Sequence, residues 1–383
     1  MPTYGLYLST LVHEFIGIYV RKLSNYLSII AKSYLKKGFY MSFDFTICIP
    51  TFNRGKRAFE LVNILLKDVE KNWSILVFDN ASTNGVEFYN EIENLSKINN
   101  QIKYVRHETN RQFYGNFKSC LDYPSSKYIM IISDEDFVNF DEMKDIINEL
   151  EVYENIGACR TSISPHKDLK VAGNSHVFQT SYLKAGEEAL SGFCFSNNYI
   201  SGIIYNLHNI KKTNLVEILG KNILSHKAYP HLYFDLLVSS KFDVLITSKV
   251  SILEGSSVSE TLNEEGKKAV TFDHIGLYGY GERINQFLAL RDGIVDAVNL
   301  LDNKNDNDKF IIFLNIYLLL VQKYFYLIAL CNMPQYKNHY MEESLLKESF
   351  FYITCSAIFA HPQIEPYKEI VLEGITSVYN NYK

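Results

Sequence analysis

Tyr128-Ile129-Met130-Ile131-Ile132-Ser133-Asp134-Glu135-Asp136-Phe137 sets an Ile-rich apolar run directly against three consecutive carboxylates. A continuous apolar run of this length predicts a buried strand of a parallel sheet. Open α/β sheets bind ligands at the carboxyl ends of their strands, where these acids fall. Three adjacent carboxylates repel one another and require solvent, protonation or a cation. Their hard oxygens suit Mg²⁺ or Mn²⁺, which in turn suit a ligand carrying phosphates. The competing assignment is an acidic helix start, because Asp141, Glu142 and the apolar set Met143, Ile146, Ile147 and Leu150 follow closely.

Upstream, Phe45-Thr46-Ile47-Cys48-Ile49 is a β-branched strand ended by Pro50 and followed by Thr51-Phe52-Asn53-Arg54-Gly55. Ala58, Leu61, Val62, Leu65 and Val69 then share one helical face. Trp73–Phe78 predicts a second strand ending on Asp79-Asn80-Ala81-Ser82-Thr83. Gln101–Val105 predicts a third strand, and Gly115–Leu121 a helix before the acidic strand. The β-α-β-α-β-α-β order predicts a doubly wound α/β domain, Rossmann-like and mostly parallel.

Four of these segments together resemble family 2 glycosyltransferases of the GT-A fold. They are Ile47–Arg54, Val77–Thr83, the Asn110–Asn116 segment and Ser133-Asp134-Glu135-Asp136, covering about residues 44–140. The nearest branch by resemblance is bacterial surface-polysaccharide synthesis, with abequosyltransferase-like members. Two departures stand out: Gln112 occupies a place the family normally gives to glycine, and Ser133 that of a frequent first Asp. The resemblance implies that Thr51, Asn53, Arg54, Asp79, Asn110 and Asp134 contact a nucleotide-sugar donor (UDP-, TDP-, CDP- or GDP-sugar). Asp79 is alternatively a turn-forming residue. The resemblance makes Asp136 and Asp134 ligands of Mg²⁺ or Mn²⁺ on the donor diphosphate, with Glu135 able to replace one of them.

Inverting members place a general base, commonly in a Glu-Asp pair, at the start of a later helix. This chain has Pro230-His231 there, so the expected catalytic base is His231, or Asp235 one turn on. A helix-capping role competes for His231 and a solvated surface role for Asp235. Glu254–Arg283, rich in Gly, Ser and charge, suits a mobile lid. No Gln-x-x-Arg-Trp sequence occurs, which disfavours a processive synthase and favours transfer of one sugar.

The rest of the chain bounds these expectations. With 383 residues, 47% hydrophobic, it can bury a large core, and a net charge of −5 gives no footprint for nucleic acid. Six scattered cysteines without a C-x-x-C pair fit reduced thiols. The expected organisation is an N-terminal amphipathic helical extension over 1–40, a GT-A domain over 41–250, and a lid plus helical C-terminal subdomain over 251–383. Arg21, Lys22, Lys32, Lys36 and Lys37 against the single acid Glu14 suit peripheral contact with an anionic membrane face. Packing on the main domain, or a natural start at Met41 instead of Met1, are the alternatives.

Phe310–Cys331 predicts a helix that is buried or interfacial, since Asn315, Gln322 and Lys323 interrupt it. Leu345–Ala360 predicts another, stopped by His361-Pro362. The expected location is cytoplasmic or peripheral on the inner face of the plasma membrane. The expected acceptor is a glycan or lipid-linked oligosaccharide of a surface polysaccharide, and the C-terminal helices would dock it or a second copy of the chain. A degenerate GT-A protein that binds glycan or scaffolds a synthase is the second function class. A sugar-phosphate nucleotidyltransferase is the third, disfavoured by the Pro50-Thr51-Phe52-Asn53-Arg54 turn, which lacks that class's Gly-rich loop.

Overall fold

The computed structural model describes residues 44–166, 176–255, 280–302, 304–331 and 365–382. The expected N-terminal extension, nearly all of the expected lid and the helix expected at 345–360 lie outside the described residues. Residues 43–383 form one compact unit.

The described strands join in one sheet. Its first half is parallel and runs β3 (Ile102–Arg106), β2 (Trp73–Asp79), β1 (Phe45–Thr51), β4 (Tyr128–Ile131). The apolar run before the acids is therefore the strand its composition predicts, with all four residues of β4 buried. The second half is mixed. β8 (Ile203–Asn206) lies antiparallel between β4 and β6 (Ile156–Pro165), and β6 pairs in parallel with β9 (Asp243–Glu254). β9 also holds the short antiparallel strands β5 (Phe137–Val138) and β7 (Ser181–Leu183). The β8 pairings set the segment preceding that strand beside the acids.

Helices cover both faces, as a doubly wound sheet requires. On one face α1 (Gly55–Asp68), α2 (Val86–Ile98) and α4 (Phe140–Leu150) bury Ala58, Leu61, Val62, Leu65, Tyr89, Ile92, Met143 and Ile146. On the other, α3 (Gln112–Asp122) packs with α5 (Glu187–Gly192), α6 (Leu207–Ile210), α7 (Leu215–Asn222) and α8 (Pro230–Lys241). α9 (Tyr280–Asn299), α10 (Asp306–Cys331) and α11 (Lys368–Tyr382) extend that same core. α8 starts with proline at its first turn, and every residue from Pro230 to Ser240 is buried.

The apolar stretch of α10 is explained by packing, since Ile312, Ile316, Tyr317, Leu320, Val321 and Tyr324 are in the core. Among the described residues, no helix is long and apolar enough to cross a membrane.

Candidate functional site

The chain leaves β1 toward β2 on one side and returns through β4 on the other. The carboxyl ends of β1 and β4 therefore flank the topological switch point, where the loops diverge and leave a crevice. Register places Thr51 beside Asp79, the last residues of β1 and β2. The acids follow β4 directly. Asn53 (φ 56°), Ala81 (φ 61°) and Gln112 (φ 58°) are the described non-glycine residues in the left-handed region, one in each loop or helix start after β1, β2 and β3. Strain of this kind concentrates at binding loops.

Thr51 and Arg54 meet the acids. Thr51 Oγ1 donates to Asp134 Oδ2 at 2.7 Å and thus accepts from the Tyr89 hydroxyl at 2.9 Å. The Arg54 guanidinium forks, with Nη1 2.5 Å from Asp134 Oδ1 and Nη2 2.8 Å from Glu135 Oε2. Arg57 adds a longer contact to Glu135 at 3.5 Å. Desolvation outweighs these cations at Glu135, whose pKa rises from 4.5 to about 7.

Asp136 is fully buried and points elsewhere. Its Oδ2 accepts from Ser201 Oγ (2.6 Å) and the Tyr199 hydroxyl (2.9 Å). Its Oδ1 accepts from Tyr199 (2.8 Å) and the Gly255 N–H (3.1 Å). Burial pushes its pKa up to about 6 despite these donors, and Glu254 adds to the rise. Burial and the nearby Asp136 push the Tyr199 phenol upward in turn, so it stays a donor. Gly255 is required here, because a Cβ would lie 1.5 Å from the Glu135 carbonyl oxygen.

The remaining donor-side candidates build the second loop. Asn53 Oδ1 accepts from the N–H groups of Thr83 (2.8 Å) and Asn84 (3.1 Å), tying the loop after β2 to that after β1. Asp79 is wholly buried: Oδ2 takes the Tyr104 hydroxyl and Arg106 Nη1, each at 2.7 Å, and Oδ1 the Ser82 N–H at 2.8 Å. Asn110 Oδ1 accepts from Asn80 Nδ2 (2.9 Å) and the Gln112 N–H (2.7 Å). Asn80 thus fixes the third loop against the second.

Among the described residues, His231 and Asp235, both on α8, share no hydrogen bond with the donor-side group, and both are enclosed. His231 is 2% exposed, its Nε2 is 2.8 Å from the Asn198 carbonyl, and burial lowers its pKa from 6.5 to about 3. Asp235 accepts from Arg160 Nη2 (2.6 Å) and the Tyr205 hydroxyl (2.8 Å), and burial raises its pKa to about 6. As built, both anchor neighbouring chain. The solvated and capping roles weighed for them are absent, since neither is exposed and no side-chain cap forms at the α8 start.

Sequence reading missed Tyr104, Arg106, Arg160 and Gly255, which hold the named acids. The stretch from Tyr199 through Ser201, by contrast, reads as one that returns to the active-site edge, where both residues donate to Asp136. Arg160 is followed by the polar Thr161 and Ser162, so the sequence reads as the start of a loop there, whereas the strand continues through it to Pro165.

The cation question turns on donor chemistry. No group of three or more His, Cys, Asp or Glu side chains among the described residues is set to hold an ion. Mg²⁺ does not need such a cage, since it is commonly held by one or two carboxylates plus substrate phosphates. Asp136 and Asp134 supply hard oxygens of that kind, and in this structure Tyr199, Ser201 and the Gly255 N–H occupy those of Asp136 while Thr51 and Arg54 occupy those of Asp134.

Residues 46–201 match the family model described as Glycosyl transferase family 2. No curated protein sequence matches the chain. Among solved structures, S. aureus TarS 1–349 is similar at a TM-score of 0.51 and 13% identity, covering 87% of this chain and 91% of that one. Its complex with UDP gives 0.53 and 14% over 88% and 89%. Its complex with UDP-GlcNAc gives 0.54 and 13% over 88% and 90%. These likenesses support the GT-A fold.

Proposed function

We propose that this chain, which belongs to glycosyl transferase family 2 through residues 46–201, moves a single sugar from a nucleotide-sugar donor to a glycan acceptor with inversion. The observation that carries the reading is the convergence of Thr51, Arg54, Asp134, Glu135 and Asp136 at the β1/β4 switch point. TarS, similar in fold, has been solved with UDP and with UDP-GlcNAc, which supports a donor of that class.

In this reading the loops after β1, β2 and β3, tied together by Asn53, Asn80 and Asn110, cradle the nucleoside. Asp79 and Arg106 form its floor, while Asp134 and Arg54 face the ribose and diphosphate. Asp136, with Asp134, would hold Mg²⁺ or Mn²⁺. Bound there, such a cation would offset the charge gathering on the departing nucleoside diphosphate. Inversion places the acceptor hydroxyl on the face opposite the diphosphate, with its proton taken from the α8 side. Asp235 at about 6 is the stronger base of the two expected residues, and it must first be released by Arg160. His231 meets an acceptor once the segment carrying Asn198 moves. The acceptor fits the surface-polysaccharide resemblance, a lipid-linked oligosaccharide met at the inner membrane face.

A panel of UDP, TDP, GDP and CDP, titrated calorimetrically with Mn²⁺ and with EDTA, tests the reading. Binding of one nucleotide that requires Mn²⁺ and is lost in Asp136→Ala is expected. No binding of any nucleotide under either condition would sink it. The enclosure of His231 and Asp235 favours a second reading, binding without transfer. That reading gains if a nucleotide-sugar binds yet neither hydrolysis nor transfer is detected over any pH.

A further inference from the structure

Four buried polar atoms without a hydrogen-bond partner gather round the segment 193–201: Arg160 Nε, Asn197 Nδ2, Asn198 Oδ1 and His231 Nδ1. Leaving such a group unmatched costs ~1–3 kcal/mol each, so the cluster calls for an occupant.

Its hydrogen-bonding character can be worked out atom by atom. Asn197 Oδ1 accepts from the Tyr199 N–H at 3.0 Å, which fixes the amide and leaves Nδ2 as a spare donor. Arg160 spends Nη2 on Asp235 and Nη1 on the Tyr199 carbonyl, leaving the Nε–H. His231 Nε2 faces the Asn198 carbonyl, which only accepts, so Nε2 carries the proton and Nδ1 is a bare lone pair. Burial keeps the ring neutral. Asn198 Oδ1 is a second acceptor. Two donors and two acceptors therefore face unmatched.

A phosphate or carboxylate would answer the donors and be repelled by both lone pairs. A cation would do the reverse. A hydroxyl both donates and accepts, so a ring bearing several hydroxyls matches the whole set. The segment also reaches the acids: Tyr199 and Ser201 both donate to Asp136. Ser196, Asn198 and Tyr199 are half-buried, so the segment borders solvent on one side.

We propose that Arg160, Asn197, Asn198 and His231 form a subsite that reads sugar hydroxyls beside the Asp136 end of the donor site. It rests on the glycosyltransferase reading and assigns sugar recognition to residues outside the four sequence motifs. The sugar is the donor's or the acceptor's, and two titrations separate these.

The first titration compares the nucleoside diphosphate chosen by the panel with its glucose, galactose and N-acetylglucosamine esters. The second adds methyl glycosides of those sugars to protein saturated with the nucleotide-sugar, read by saturation-transfer NMR. Asn197→Ala, Asn198→Ala and the conservative Asn197→Asp are compared with wild type. Arg160 is left intact because of its buried ion pair.

Loss of one hydrogen bond should cut the sugar's contribution to affinity about fivefold or more, with affinity for the nucleoside diphosphate unchanged. That unchanged affinity also reports that the variants fold. A drop in the first titration alone assigns the donor's sugar; a drop in the second alone assigns the acceptor's. Normal nucleotide binding with neither drop overturns the subsite and leaves these atoms to ordered water. Failure of the wild type to bind any nucleoside diphosphate is a different result, and overturns the parent reading together with the subsite.

Discussion

At Gln112 the backbone takes φ 58° with its side chain exposed, a conformation that glycine adopts without steric penalty. The loop holds this geometry because the Gln112 N–H donates to Asn110 and its carbonyl accepts from Asn80. The departure from the family's glycine thus leaves the turn in place and stores strain in it. Gln112→Gly should raise unfolding stability by about 0.5–1 kcal/mol, the relieved left-handed cost less the glycine's chain entropy. Urea unfolding at constant m-value checks this, and a lower midpoint would show that the side chain contributes more than the strain costs. Asp79 makes a related point. Its turn role is present, since one oxygen accepts from the Ser82 N–H, and the other oxygen holds Tyr104 and Arg106.

At the scale of the element, α8 sits against β6 through the Arg160–Asp235 pair, 1% and 0% exposed. A buried pair is worth little over apolar replacements, whereas half of one is costly. Asp235→Ala should destabilise by ~3–5 kcal/mol, because Arg160 is left charged and unpaired. The double variant Asp235→Leu with Arg160→Met should recover most of that loss. Thermal unfolding of the wild type and the two variants decides it. A double variant as unstable as the single one would mean that the Tyr205 and Tyr199 contacts, not the charge, hold the helix.

For the molecule as a whole, stability toward acid draws in part on its enclosed imidazoles. Burial lowers His226, stacked 3.8 Å from the Tyr233 ring, from 6.5 to about 4, and His231 to about 3. The unfolded chain binds protons on these rings at higher pH than the folded one. Their contribution is therefore full above about 6.5 and is lost as pH falls toward 4 and 3. For His226 it amounts to ~3 kcal/mol. Glu135, Asp136 and Asp235, whose folded pKa values are raised, act in the opposite sense over the same range. The imidazole contribution is therefore read by difference: the stability advantage of wild type over His226→Phe should shrink as pH falls from 6.5 to 4. A difference between wild type and His226→Phe that stays constant over this range would count against the His226 assignment.

The parallel half of the sheet and the place of the acids followed from sequence alone. A strand buried on both faces must be a continuous apolar run, and the polar residues that end each run mark the carboxyl edge. Tyr128–Ile131, Trp73–Asp79 and Phe45–Thr51 are strands for that reason, and Asp79, Asp134, Glu135 and Asp136 lie at their ends. Side-chain pairing across long separations left no such trace. Tyr199 and Ser201 reach Asp136 across 63 and 65 positions, and Arg160 reaches Asp235 across 75. These contacts depend on the antiparallel insertion of β8 between β4 and β6, where strand order is a property of the packed sheet. The same packing buried His231, whose charge and access depend on the dielectric around it and not on its neighbours in the chain.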